Sequence, residues 1–393
     1  MLIGLVGKPS AGKSTFFKAA TLADVAIASY PFTTIKPNTG VGYVKVNCID
    51  THFGVKCNPR HGFCVNGKRF VPVEMMDVAG LVPGASEGKG LGNQFLDDLR
   101  QADAFIHVVD CSGKTDSEGK PVENYNPSKD IEFLDRELDN WFFNILNKAW
   151  KSFARRLDQE GEFAPSVAKQ FSGLKVTEED VKRVLLKVGL PKKAGFWSSD
   201  DLMKFASALR RNGKPMIIAA NKVDLEKGRE NYEKLKKDFP ELMIVPCSAD
   251  SELALREADK SGLINYVPGE RDFEIKGDLN DKQEQALNSI RENVLDRFDE
   301  GTGVQSVLNS AVFDLLKYLY IFPASANKLR DSKGNILPDC FLLPGGSTAL
   351  DFAFFLHTDF GNNFIKAIDA KTKKALGKNY ELKSGDALEI VTR

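Results

Sequence analysis

Short unbroken apolar runs alternate along most of the chain with longer stretches whose apolar residues return every three or four positions. The first pattern reads as strands buried on both faces and the second as amphipathic helices, the alternation of an α/β domain. The runs fall at residues 2–6, 104–110, 215–220 and 242–246; residues 41–49 and 69–78 alternate loosely and read as a strand and its partner. A first helix is expected from Ser14 to about Leu22. From Asn126 to Arg211 the texture changes: Trp141, Phe142, Ile145, Leu146, Ala149 and Phe153 recur at helical spacing. Further helical patterns cover 178–186 and 200–209, punctuated by Pro165, Pro191 and Gly195. This predicts a helical insertion at 129–212 inside an α/β domain made of 1–128 and 213–320. Residues 262–277 read as loop, and 280–298 and 304–320 as helices, the second packing back on the sheet. From 321 to 393 short strands and turns predict a small separate β-rich domain.

The run at 2–6 leads into Gly7-Lys8-Pro9-Ser10-Ala11-Gly12-Lys13-Ser14, which fits G-x-x-x-x-G-K-[ST] in the strand–loop–helix setting a phosphate-binding loop needs. Glycines let the backbone wrap an anion with its N–H groups inward, and the following helix adds its positive end. Gly7 to Thr15 are assigned to nucleotide binding, with Lys13 reaching the β- and γ-phosphates and the Ser14 hydroxyl a ligand for Mg²⁺. The next loop, from Tyr30 to Gly40, offers Thr34, or Thr33 beside it, to complete the metal shell and touch the γ-phosphate. Asp77-Val78-Ala79-Gly80 is D-x-x-G at a strand end: Asp77 would hold Mg²⁺ through water and the Gly80 N–H would meet the γ-phosphate. Glycines at 84, 88, 90 and 92 mark a second switch segment. Leu81 stands where many GTPases place a water-orienting Gln, so the attacking water must be positioned by something else.

Asn221-Lys222-Val223-Asp224 closes another strand and is the strongest base-specificity signal. The Asp224 carboxylate can accept from guanine N1–H and the 2-amino group, whereas adenine would leave it unpaired. Lys222 can cover the base, Asn221 can tie its loop to the phosphate loop, and backbone N–H groups of Cys247-Ser248-Ala249 can meet guanine O6. His107, within a strand, reads as a packed residue rather than a catalytic one.

Composition excludes more than it adds. Lys+Arg and Asp+Glu balance at 54 each over 393 residues, so bulk charge announces neither nucleic acid nor membrane. No run reaches a membrane span, and the first strand leaves no room for a signal peptide; both lead us to expect a cytoplasmic protein. The basic residues Arg155, Arg156, Lys182, Arg183, Lys187, Lys192, Lys193, Arg210 and Arg211 form either a basic face or a solvated helical surface. His52, Cys57, His61 and Cys64 leave three readings open: free surface thiols, a disulfide across a hairpin tip at Asn58–Gly62, or a metal site.

Taken together, these residues resemble the YchF subfamily of Obg-like P-loop GTPases over nearly the whole length. The shared text is Tyr30-Pro31-Phe32-Thr33-Thr34, Asp77-Val78-Ala79-Gly80-Leu81-Val82, Gly90-Leu91-Gly92-Asn93 and His107-Val108-Val109, besides the helical insertion. The last seventy-odd residues resemble a TGS domain, notably Gly345-Gly346-Ser347-Thr348 and His357-Thr358-Asp359-Phe360-Gly361. The resemblance implies a Ras-like, mostly parallel six-stranded sheet followed by a β-grasp domain. It implies a Mg²⁺-dependent GTPase of low intrinsic rate, switching between GTP and GDP and acting with a ribosome or RNA. ATP-preferring YchF members end the base motif in Glu; this chain keeps Asp224, so their ATPase activity is not carried over. Ser10 replaces the Asn that helps hold potassium in potassium-stimulated relatives. An ATPase of the same family, and an RNA- or ribosome-binding scaffold with structural nucleotide, stand as the alternatives.

Overall fold

The structure is a computed structural model and describes residues 1–21, 39–78, 100–148, 150, 154, 163–191, 193–325, 329–331 and 333–393. Strands β1 (Leu2–Val6), β2 (Thr39–Asn47), β3 (Phe63–Val65), β4 (Lys68–Asp77), β5 (Ala104–Asp110), β6 (Met216–Asn221) and β7 (Ile244–Cys247) form one sheet. Its main path is β2-β4-β1-β5-β6-β7, with β3 attached to β4. The five strands from β4 to β7 run parallel and β2 runs antiparallel to β4. The expected six strands are therefore the main path, and the short β3 is a seventh. Every residue of β5 is buried, as a central parallel strand covered on both faces requires. The parallel arrangement brings the C-terminal ends of β1, β4, β6 and β7 to one edge, where open α/β sheets bind ligands.

One face of the sheet carries the insertion. Helices Ser128–Asn147, Phe163–Gln170, Glu178–Val188 and Ser199–Gly213 close around Leu134, Leu138, Phe142, Val167, Val181, Phe205 and Leu209, in one cluster with Val6, Met76 and Phe105 of the sheet. Thr177 with Asp180, and Ser198 with Asp201, make reciprocal capping boxes that fix two of the helix starts. Pro165, expected to break helical structure, lies within helix Phe163–Gln170. Arg210 is no part of a basic face: it is buried, with Asp139 at 2.7 Å and Asp135 at 2.5 Å. Ala149, Phe153, Arg155, Arg156 and Lys192 lie outside the described residues.

On the other face, helix Val304–Asn309 and its continuation Ser310–Leu315 pack Val304, Val307, Leu308 and Val312 against Ile3, Leu5, Val44 and Val73. The stretch 262–277, read as loop, contains a hairpin of β8 (Ile264–Tyr266) and β9 (Phe273–Ile275), anchored by Tyr266 and Phe273 in a small core of their own. The helix expected to reach residue 320 stops earlier. Lys317 takes a left-handed φ of 57°, and Tyr318–Pro323 enters the second sheet as β10. The texture change at 321 thus falls inside a strand.

That second sheet adds β11 (Phe341–Pro344), β12 (Phe364–Asp369), β13 (Ala375–Leu376) and β14 (Asp386–Thr392), in the order β11-β10-β14-β12-β13. Helix Ala349–Leu356, capped by Thr348 and Asp351, buries Phe352 against Ile321, Leu343 and Leu388. Residues 357–361, read as a turn, begin a short helix, Thr358–Asn362. The segment between β2 and β4 docks on this domain: Asn58 N–H donates to the Ile336 carbonyl and Arg60 N–H to the Pro338 carbonyl, both at 2.8 Å. The fully buried Arg69 guanidinium donates to the Leu337 carbonyl at 2.6 Å and to that of Pro338 at 3.4 Å.

Candidate nucleotide-binding site

The loop after β1 closes only because of two glycines. Gly7 has φ 145°, and a Cβ there would lie 2.4 Å from the Val108 carbonyl oxygen. Gly12 has φ 97°, and a Cβ there would lie 2.2 Å from Asn221 Nδ2. The amide of Asn221 reaches back at that point: Nδ2 donates to the Ala11 carbonyl at 2.9 Å, while Oδ1 accepts the Ala249 N–H at 3.0 Å. One buried side chain thus fastens the phosphate loop, the end of β6 and the start of helix Ala249–Lys260 together.

The Lys13 ammonium donates to the Lys8 carbonyl at 2.8 Å, which holds the side chain across the loop. Burial lowers its pKa, and the Asp77 carboxylate opposes that effect. The Ser14 hydroxyl donates to Asp77 Oδ2 at 3.0 Å, so two hard oxygen donors, one from the start of helix Lys13–Thr21 and one from the end of β4, meet beside Lys13. Lys222, at a left-handed φ of 68°, lays its stem along the cleft and ends on Asp110 Oδ2 at 2.8 Å and the Ser10 carbonyl at 3.1 Å. Burial pushes the Asp110 carboxyl up, but Lys222, Ser112 and Thr115 together outweigh it and leave it lowered. The Ser248 hydroxyl bridges Asp224 Oδ1 at 2.9 Å and the Ser251 hydroxyl at 2.8 Å, which orients the Asp224 carboxylate.

A cleft of about 530 Å³ lies among these groups, lined by Ser10, Gly12, Lys13, Ser14, Thr15, Asn221, Lys222, Asp224, Leu225 and Asp250. Leu225 and Asp250 escaped the sequence reading. So did Asp110, whose signal would have been a carboxylate ending a strand next to the one that ends in N-K-x-D. Gly7, Ala11, Cys247, Ser248 and Ala249 are buried behind the lining layer.

Two expectations are corrected. The Lys8 side chain turns away from the cleft: it pairs with buried Asp130 at 2.9 Å, donates to the Thr115 carbonyl at 2.7 Å and sits 4.1 Å from the Tyr125 ring centre. Pro9 likewise faces Gly119, where an added Cβ would come within 2.8 Å of it. Second, the Ser248 and Ala249 N–H groups are not free for a base oxygen. Ser248 N–H donates to the Thr302 carbonyl at 2.8 Å, and Ala249 N–H goes to Asn221. Residues 300–303 press against this segment, a Cβ on Gly303 meeting the Pro246 oxygen at 1.8 Å. Thr34, Gly80, Leu81 and the glycines at 84–92 lie outside the described residues. His107 is buried, its pKa pulled down to about 3 by burial and by the nearby Lys13 charge.

A parallel sheet with a phosphate loop after its first strand, D-x-x-G after β4 and N-K-x-D after β6 defines a P-loop GTPase fold. Comparison with known proteins agrees. Residues 2–148 match the model of the 50S ribosome-binding GTPases, 219–325 that of the Obg-like GTPase YGR210-like G4 motif-containing domain, and 332–392 the TGS domain. The chain is 49% identical over 394 residues to an uncharacterized GTP-binding protein of Methanocaldococcus jannaschii, covering 100% of this chain and 99% of the other. It is 28% identical to the ribosome-binding ATPase YchF of Pasteurella multocida, covering 98% of each. The crystal structure of a GTP-binding protein from Pyrococcus horikoshii superposes with a TM-score of 0.79 at 42% identity, covering 100% of both chains. The chain belongs to the YchF-type, Obg-like family of GTP-binding proteins and carries a C-terminal TGS domain. Among the described residues, no helix is long and apolar enough to cross a membrane.

Proposed function

We propose that the chain hydrolyses GTP to GDP and phosphate as a slow, Mg²⁺-dependent switch that works in the cytoplasm with a ribosome or RNA. The observation that carries this reading is the meeting, in one cleft, of Lys13, Ser14 and the Ser248-oriented Asp224 carboxylate, with Asp77 bonded to Ser14 beside it. Ser14, with Thr34, supplies direct oxygen ligands and Asp77 a water-mediated one, a donor set that suits Mg²⁺. When bound, the ion neutralises charge on the β- and γ-phosphates. Lys13 and the loop N–H groups stabilise charge that develops as water attacks the γ-phosphate, and the Gly80 N–H meets that phosphate. Asp224 selects guanine. Asn221 holds the two halves of the site in register. Leu81 offers the water no hydrogen bond, so turnover is slow until a partner raises it.

The ribosomal assignment is supported by relatives such as the Pasteurella protein, named as ribosome-binding. Phosphate release from GTP and ATP, with Mg²⁺ or with chelator, tests the reading. GTP turnover that needs Mg²⁺ and vanishes in Lys13→Ala supports it; full hydrolysis by Lys13→Ala, or preference for ATP, contradicts it. Co-sedimentation with ribosomes under a GTP analogue and under GDP tests the switch. Equal binding in both states favours a scaffold, and binding in neither removes the partner.

A further inference from the structure

The nucleotide cleft makes no use of a second concentration of ligand atoms, about the segment between β2 and β4. Cys48 directly follows β2, Asp50 opens the one-turn helix Asp50–Phe53, Cys57 lies in the loop beyond, and Cys64 sits in β3. Their three sulfurs and a carboxylate oxygen all lie within 4.8 Å of one another. Cys48, Asp50 and Cys57 are buried and Cys64 half-buried, so these are not surface thiols. Nor is there a disulfide across the hairpin tip: Cys57 and Cys64 are both free, as is Cys48, whose sulfur stands 3.8 Å from that of Cys57 against roughly 2.05 Å for an S–S bond. His52 and His61 are no part of the group, and Cys48 and Asp50 replace them.

We propose that Cys48, Cys57, Cys64 and Asp50 bind a structural Zn²⁺ ion that fixes the segment on which the TGS domain docks. Sulfurs bound at about 2.3 Å around a tetrahedral ion stand about 3.8 Å apart, and a sulfur and an oxygen stand about 3.6 Å apart. The Cys48–Cys57 separation is 3.8 Å, and Cys64 Sγ lies 3.7 Å from Asp50 Oδ2. Asp50 is oriented for a single oxygen ligand, because Thr51 N–H holds Oδ1 at 2.8 Å and leaves Oδ2 to the thiols. Soft thiolates favour zinc over the hard-oxygen ions, and four protein ligands make a closed, structural site.

The electrostatics support an ion. Three thiolates and a carboxylate around Zn²⁺ carry excess negative charge, and the buried Arg69 guanidinium faces Cys48 and Cys57 from the same core. Without an ion, the Cys48 thiol donates to the Cys57 sulfur and the Cys64 thiol to Asp50 Oδ2. Zinc would displace those protons. The same segment carries Asn58 and Arg60, whose N–H groups bond to Ile336 and Pro338, and Cys48 and Cys57 share a core with Phe322, Leu337 and Ala387. The ion therefore sits at the joint between the two domains.

The test uses the full chain, purified reduced and without a metal-affinity step. Mass spectrometry of released metal is expected to find one zinc per chain, freed by a mercurial thiol reagent. After zinc is removed, CoCl₂ should give thiolate-to-cobalt charge-transfer absorption and tetrahedral d–d bands. Cobalt at the nucleotide site, with oxygen ligands, gives neither. Cys57→Ser should weaken cobalt binding at least about tenfold, and Cys111→Ala should leave it unchanged. Because Cys57→Ser can misfold, the wild-type result decides independently. No zinc together with no tetrahedral cobalt spectrum overturns the proposal, as does a disulfide joining any two of Cys48, Cys57 and Cys64.

Discussion

The side-chain amide of Asn221 bonds to the Ala11 carbonyl at 2.9 Å across 210 positions of sequence, and Gly12 leaves no room beside it for even a methyl group. Asn221→Ala removes the partner of the Ala11 carbonyl and of the Ala249 N–H at once. Urea unfolding without nucleotide should show a loss of about 1–3 kcal/mol for each group stranded in the buried site. Gly12→Ala should also destabilise, by about 1–3 kcal/mol from backbone strain, and should lose nucleotide affinity further because the loop can no longer close on Asn221.

His107 supplies a pH dependence. Its Nδ1 has no hydrogen-bond partner among the described residues, and burial, with Lys13 nearby, holds its pKa at about 3 against 6.5 for the free side chain. A folded-state pKa below the unfolded one means that the unfolded chain binds the extra proton. The stabilisation is complete above the unfolded pKa and is lost as pH falls from 6.5 toward 3. The slope is about 1.4 kcal/mol per pH unit for one proton. His107→Leu should flatten the fall in unfolding free energy across the acid range. A wild-type profile that is flat there would remove the buried neutral imidazole from the account.

Arg69 joins the two domains. Arg69→Met strands the Leu337 and Pro338 carbonyls it now serves, in a core that also holds Phe322 and Leu337. The TGS domain should exchange its amide hydrogens faster, and limited proteolysis should begin near residue 330, while GDP affinity changes little because the cleft lies at the far end of β4. Loss of GDP binding together with the docking would instead show that the domains fold as one unit.

What the sequence made legible follows from how local each signal is. The phosphate loop, Asp77 and Asn221-Lys222-Val223-Asp224 are contiguous motifs at strand ends, and the structure brings them to one edge of the sheet. Contacts set by distant packing were not legible. Lys8 sits inside the motif, yet its side chain leaves the cleft for Asp130, 122 positions away in sequence. Arg210 looked like surface charge because its partners, Asp135 and Asp139, lie on another helix. The Ser248 N–H looked available because nothing in its neighbourhood reveals the Thr302 carbonyl. Strand β10 was hidden by apolar residues that fit a helix until Lys317 turns the chain. Cys57 and Cys64 drew attention, but Cys48 and Asp50 join them only through the fold of the segment.

The central claim is that the carboxylate of Asp224, held by the Ser248 hydroxyl at 2.9 Å, reads the base. Titration calorimetry of the nucleotide-free chain with GDP and with ADP tests it most directly. GDP is expected to bind at least about a hundredfold more tightly, with Asp224→Asn losing most of that difference while Lys13→Ala weakens both nucleotides alike. Equal affinity for ADP, or an Asp224→Asn chain that still prefers GDP, would contradict it.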